Sequence, residues 1–146
     1  MSTTRIEEYV ETIYEICQSK EVAKVSDIKN ALELSSLASV TEMVQKLAEE
    51  GLINYQKYRG VSLTEKGIAM AKELIKKHKN IEKFLKIIGV DENLAANDAC
   101  LIEHIISEET SFAIKNFIDF MNKEENTEII KKLKARLTAE KNKNKR

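Results

Sequence analysis

The sequence predicts a mainly α fold: a winged helix-turn-helix domain over residues 1–64, then an all-helical domain over residues 65–146. Three observations carry this. There is no proline and there are only four glycines in 146 residues, so little interrupts a helix. Apolar residues recur three and four apart through most of the chain. The exception is "LINYQKYRGVSLT", whose β-branched and aromatic residues flank a turn near Tyr58–Gly60 and read as a two-stranded wing.

Taken in order, Thr4 and Glu7 form a T-x-x-E capping signal for a helix from Arg5 to Ser19, with Ile6, Tyr9, Val10, Ile13 and Cys17 on one stripe. Cys17 reads as a small buried side chain. Ser26 is placed to cap a short helix, "DIKNAL", and a break at Glu33–Ser36 follows. The next helix shows Val40, Met43, Val44 and Leu47 on one face and stops at Gly51. Two short helices around a tight break make the helix-turn-helix. After the wing, Thr64 caps a long helix to Ile88, with Ala71, Leu74, Ile81, Leu85 and Ile88 as its apolar seam and Gly89 as its stop. That seam is the expected dimer surface, with packing inside the chain as the alternative. Asp91 caps a helix running to Ile106, and Ser107 caps another with Ile114, Phe117, Ile118 and Met121 inward. A last helix spans Glu125 to Lys141, and the terminal "KNKNKR" is expected to fray.

The bulk composition excludes several classes. No apolar run approaches the ~20 residues that span a bilayer, so no membrane partner is expected. The opening "MSTTRIEE" lacks a basic stretch before an apolar one, and two cysteines without such a leader point to reduced thiols in the cytoplasm. Neither a glycine-rich loop nor a nucleophile motif is present, so no catalytic residue is expected and the chain does not read as an enzyme. Net charge is zero overall but uneven: −3 over residues 1–64, +4 over 65–87, −6 over 88–111 and +5 over 112–146.

The acidic stretch holds "NDACLIEHIISEE", with Cys100, Glu103 and His104. On a helix these fall within an arc of about 100°, opposite Leu94, Leu101 and Ile105, and so define a polar face apart from the core face. His78 and Glu82 are four apart on the long helix, and Glu8 and Glu11 three apart on the first. Thiolate, imidazole and carboxylate together suit Fe(II), Mn(II), Zn(II) or Co(II) better than Ca(II) or Mg(II). Spacing alone leaves a purely structural role open, since exposed glutamates usually face solvent and a seam histidine is commonly a core residue.

For DNA, the third helix offers Ser36, Ser39, Thr41, Gln45 and Lys46, and the wing Lys57 and Arg59. Gln and Lys can read base edges in the major groove, and Lys and Arg can anchor phosphates. This half is nonetheless net acidic, unlike a constitutive DNA binder.

The strings "EEYVETIYEI", "VSDI", "SVTEMVQKLAEEGLI", "YRGVSLTEKG", "KKHKNIEKFLKIIGVDE" and "ACLIEHIIS", in this order from Ile6 to Ser107, resemble the metal-dependent regulators of the diphtheria-toxin-repressor and manganese-transport-regulator family. The resemblance implies a homodimer that binds double-stranded operator DNA and represses metal-ion uptake genes. It implies activation by Fe(II) or Mn(II) at the junction of DNA-binding and dimerisation domains, with Zn(II) or Co(II) able to substitute in vitro. It places ligands at Glu8, His78, Cys100, Glu103 and His104. Glu11 matches the manganese branch, and Cys100 and Glu82 match the iron branch. Ala96 stands where the iron branch has an ancillary histidine, and Leu37 and Ala38 stand where a proline is usual. With its last residue at Arg146, the chain is expected to be the short form, without the extra C-terminal domain of the longer iron repressors. The rival readings are a metal-independent winged-helix regulator that answers to an organic ligand, and a metal-dependent hydrolase.

Overall fold

A computed structural model describes residues 3–144, about 75% helical, with seven α-helices and one two-stranded sheet. It forms two compact units, Met1–Ile75 and Lys76–Arg146.

The first unit contains α1 (Thr3–Ser19), α2 (Val25–Ala31), α3 (Leu37–Glu49), β1 (Ile53–Gln56), β2 (Gly60–Leu63) and the start of α4 (Glu65–Ile87). Its core gathers Tyr9, Val10 and Ile13 of α1, Ile28 of α2, Val40, Met43, Val44 and Leu47 of α3, and Ile53 and Val61 of the wing strands. The strands pair antiparallel, with Ile53 opposite Leu63 and Gln56 opposite Gly60. Ala23 and Val61 exchange two backbone hydrogen bonds of 2.8 Å, which fastens the root of the wing to the α1–α2 connection. Gly60 is required there. Its φ is +123°, and a Cβ would sit 2.9 Å from the Ala23 carbonyl oxygen.

Two helix starts differ from expectation. The first helix is already formed at Thr3, so Thr4 lies inside it and is not its cap. The second begins at Val25, not after Ser26. Lys24 is its N-cap residue, and the Asp27 carboxylate accepts the Lys24 backbone N–H at 3.0 Å while pairing with Lys20 at 2.8 Å. A carboxylate in the first turn satisfies an orphan N–H and complements the helix dipole, which the neutral Ser26 hydroxyl one residue earlier does not. The Lys20 hydrogen bond and then the Lys24 N–H hold Asp27 below the usual aspartate range. Between α2 and α3 the turn passes through Glu33 at φ +52°, and Ser36 caps α3 by accepting the Ser39 N–H at 3.2 Å. Thr64 caps α4 as expected, accepting the Gly67 N–H at 3.1 Å.

The second unit continues α4 and adds α5 (Glu92–Ile102), α6 (Glu108–Met121), a 3-10 turn (Glu124–Asn126) and α7 (Thr127–Asn144). Asp91 and Ser107 cap α5 and α6 with side-chain bonds of 3.0 and 3.2 Å. Gly89, at φ +100°, ends α4 beneath Leu137 of α7. The helix α7 runs on to Asn144, so the basic tail is helical as far as it is described.

Much of the α4 seam is already covered, while Ile88 at its end is exposed. Ala71, Leu74 and Ile81 are buried within the single chain. The large apolar side chains that face outward in this unit include Leu94, Leu101, Ile105, Phe112 and Phe120, on and around α5 and α6, as well as Ile88 and Ile129. Among the described residues no helix is long and apolar enough to cross a membrane.

Candidate metal centre and nucleic-acid interface

The second unit assembles a polar cluster from two elements. The helix α4 presents His78, Glu82 and Lys86, each four apart and therefore on one face. The helix α5 carries Cys100 but stops at Ile102, four residues before the expected end. Glu103 is its C-cap, and His104 lies in the turn that leads to α6. The stop follows from the next cap: Ser107 must be extended, at ψ 160°, to receive the Thr110 N–H. Lys77 ties α4 to this turn, with its ammonium 3.4 Å from both the Ile106 carbonyl and the Glu108 carboxylate.

The Glu103 side chain points inward and is fully buried. Its Oε2 lies 2.7 Å from His78 Nδ1, and its Oε1 lies 3.4 Å from His104 Nε2. The other His78 nitrogen, Nε2, is 3.7 Å from Glu82 Oε2. The second oxygen of Glu82 pairs with Lys86 at 2.7 Å, and Lys86 also reaches Glu92 at 3.3 Å. Lys86 holds the Glu82 carboxyl below its ordinary range, and Glu82 in turn raises the Lys86 ammonium. Cys100 is on the surface of α5 one turn before Glu103.

This reverses the expected sidedness of α5. The face with Leu94, Leu101 and Ile105 is the exposed one, and the polar triplet contributes the buried carboxylate. Burying a carboxylate is costly unless it is paired or coordinates a metal. Here two imidazoles flank it, and a thiol precedes it by three residues. The carboxylate and the two imidazoles suit a divalent transition-metal ion. The structure brings His78, Glu82, Glu103 and His104 together and adds Lys86, whose sequence signal is its position four residues after Glu82.

Glu8 and Glu11 lie on α1 in the first unit, both half-buried. On α3, Ser39 and Gln45 are exposed while Thr41 and Lys46 are half-buried. Two of the expected reading groups have local work. Ser36 caps the helix, and the Thr41 hydroxyl donates to the Leu37 carbonyl at 3.0 Å. In the wing turn Lys57 and Arg59 are exposed on either side of Tyr58, which sits at φ +72° and is 94% exposed. Its phenol was not among the expected DNA contacts, although the "KYRG" string places an aromatic between two cations.

A winged helix followed by a helical unit with a buried carboxylate–imidazole cluster defines the class: a metal-responsive, DNA-binding regulator. Residues 1–61 match the iron dependent repressor N-terminal DNA binding domain, and residues 64–137 match the iron dependent repressor metal binding and dimerisation domain. The chain is 44% identical over 138 residues to the HTH-type transcriptional regulator MntR of Lysinibacillus sphaericus (strain C3-41), covering 94% of this chain and 97% of that one. It is 41% identical over 125 residues to MntR of Bacillus subtilis (strain 168), covering 86% and 87%. The solved structure of the manganese regulator SloR superposes with a TM-score of 0.65 at 30% identity, over 78% of this chain and 53% of that one. The chain belongs to the iron-dependent repressor family, and it is a metal-dependent transcriptional regulator.

Proposed function

We propose that this protein is a homodimeric repressor of metal-ion uptake genes, working in the cytoplasm and binding its operator when Fe(II) or Mn(II) is held by His78, Cys100, Glu103 and His104. The observation that carries this is the fully buried Glu103 carboxylate between the imidazoles of His78 and His104. The sequence pattern extends the ligand set to Glu8 and Glu11 of α1 and to Glu82. Zn(II) and Co(II) have the same donor preferences and are expected to substitute in vitro. No residue is assigned a catalytic role. The manganese regulator SloR among the solved relatives supports manganese, while the Cys100 sulfur supports iron.

When bound, the ion supplies two positive charges and directional bonds to sulfur, nitrogen and oxygen. Cys100 must lose its proton to ligate, and His78 and His104 must be neutral. Residues 1–64 then act as the DNA-binding domain and 65–146 as the dimerisation and metal-binding domain. Gln45 and Ser39 of α3 face the bases, with Lys46, Thr41 and Ser36 nearer the phosphates, and Lys57 and Arg59 of the wing neutralise the backbone. Metal binding and DNA binding are linked, so each tightens the other by the same factor. The exposed apolar side chains of α5 and α6 supply the homodimer face.

The test is operator binding by fluorescence anisotropy, on duplexes enriched by in-vitro selection in the presence of Mn(II). Saturable binding that is lost on adding chelator and restored by metal is expected. Equal affinity with and without chelator would overturn the reading.

A further inference from the structure

We infer that Glu42 of α3 sets operator specificity by selecting a cytosine in each half-site. This rests on the operator binding proposed above. The buried face of α3 is Val40, Met43, Val44 and Leu47. At about 100° per residue, Glu42 points almost directly away from the middle of that face, farther round from the core than Ser39 or Lys46. Ala38 precedes it by four residues and Gln45 follows it by three, and all three are exposed. Glu42 therefore stands on the crest of the outward face, in the first half of the helix. It lines one concave patch with Ser39, Gln45 and Lys46. Among the described residues its carboxylate makes no ion pair, not even with Lys46 four residues on.

When a recognition helix enters the major groove, residues in its N-terminal part meet base edges, and phosphates lie to its sides. A side chain on the crest thus faces the groove floor. An ionised carboxylate only accepts hydrogen bonds. Most groups on that floor are acceptors too: guanine N7 and O6, thymine O4 and adenine N7. Adenine N6 donates, but N7 sits beside it. Cytosine N4 donates with no acceptor next to it on the same base. Glu42 gains a charge-assisted hydrogen bond at cytosine and meets repulsion at the other bases. Glu49 is exposed on the same line two turns later, but it is the last residue of α3. Its charge acts on all sequences alike, which makes it the internal control.

The experiment is in-vitro selection of duplexes by the full-length protein with Mn(II), for wild type, Glu42→Gln and Glu49→Gln. Fluorescence anisotropy then compares the wild-type consensus with duplexes carrying each other base pair at the selected positions. Gln keeps the length and shape of the side chain and removes the charge. Wild type is expected to select a cytosine at symmetric positions of the two half-sites and to prefer it by about tenfold or more. Glu42→Gln should lose that preference. Glu49→Gln should keep it while binding every duplex more tightly. A cytosine preference that survives Glu42→Gln, or equal tightening of all duplexes by that variant, overturns the inference, because the carboxylate then only repels DNA. Wild-type binding that ignores chelator overturns the metal control proposed above, and the Glu42 comparison still decides the inference. Absence of any selected duplex for wild type overturns both.

Discussion

Glu103 Oε2 and His78 Nδ1 meet at 2.7 Å across twenty-five residues of sequence, joining the end of α5 to the middle of α4. This hydrogen bond organises the cluster before any ion arrives. Removing the imidazole would take this hydrogen bond from a buried carboxylate. His78→Ala is therefore expected to lower the unfolding free energy of the metal-free protein by about 2 kcal/mol, read by urea denaturation. A metal-free stability equal to wild type would show that the pair does not support the fold.

Lys77 holds the turn that carries Glu103 and His104, through the Ile106 carbonyl and Glu108. Lys77→Met should keep the helices but loosen that turn. The expected result is metal affinity weaker by about tenfold, the lower end for groups that orient ligands, with unchanged far-ultraviolet circular dichroism.

Asp27 gives a pH-dependent test in the first unit. Its folded pKa is lowered, by Lys20 first and the Lys24 N–H second. A lowered carboxylate contributes stability that is present above its unfolded value, about 3.9, and is lost as pH falls through the folded value. Asp27→Asn should cost about 1 kcal/mol near neutrality, discounted for partial exposure. The gap from wild type should close below about pH 4. A gap that persists at low pH would assign the effect to packing instead.

Leu101 and Phe112 are exposed apolar residues of the proposed dimer face. Leu101→Asp with Phe112→Asp is expected to raise the dimer dissociation constant by at least about a hundredfold, measured by sedimentation equilibrium. Wild-type dimerisation in this double variant would place the interface elsewhere.

At the wing, Lys57→Ala and Arg59→Ala should each weaken DNA binding evenly across sequences and reduce the slope of log affinity against log salt by about one. Gln45→Ala should instead relax preference at one base position, by about 1–3 kcal/mol.

The parts of this fold that local chemistry dictates were legible in the sequence. Thr64, Asp91 and Ser107 are caps because their own side chains reach N–H groups two or three residues on. The wing follows from β-branched residues around Gly60. The sidedness of α5 was not legible, because a face that meets a partner and a face that meets the core are both apolar at the same spacing. Leu94, Leu101 and Ile105 therefore read as core, although they are exposed. The α4 seam was ambiguous for the same reason: Ala71, Leu74 and Ile81 are buried within the chain, while Ile88 is exposed. The grouping of His78, Glu103 and His104 was readable from spacing, but the burial of Glu103 depends on where α5 stops.

The proposed control of this regulator rests on the Glu103 cluster as its metal site. The most direct measurement is anaerobic titration of wild type and Glu103→Gln with Fe(II) and with Mn(II), monitored by calorimetry and by circular dichroism for the fold. Near-stoichiometric binding by wild type is expected, with affinity lower by about a hundredfold or more in the folded variant. Equal affinity in the two proteins would contradict it.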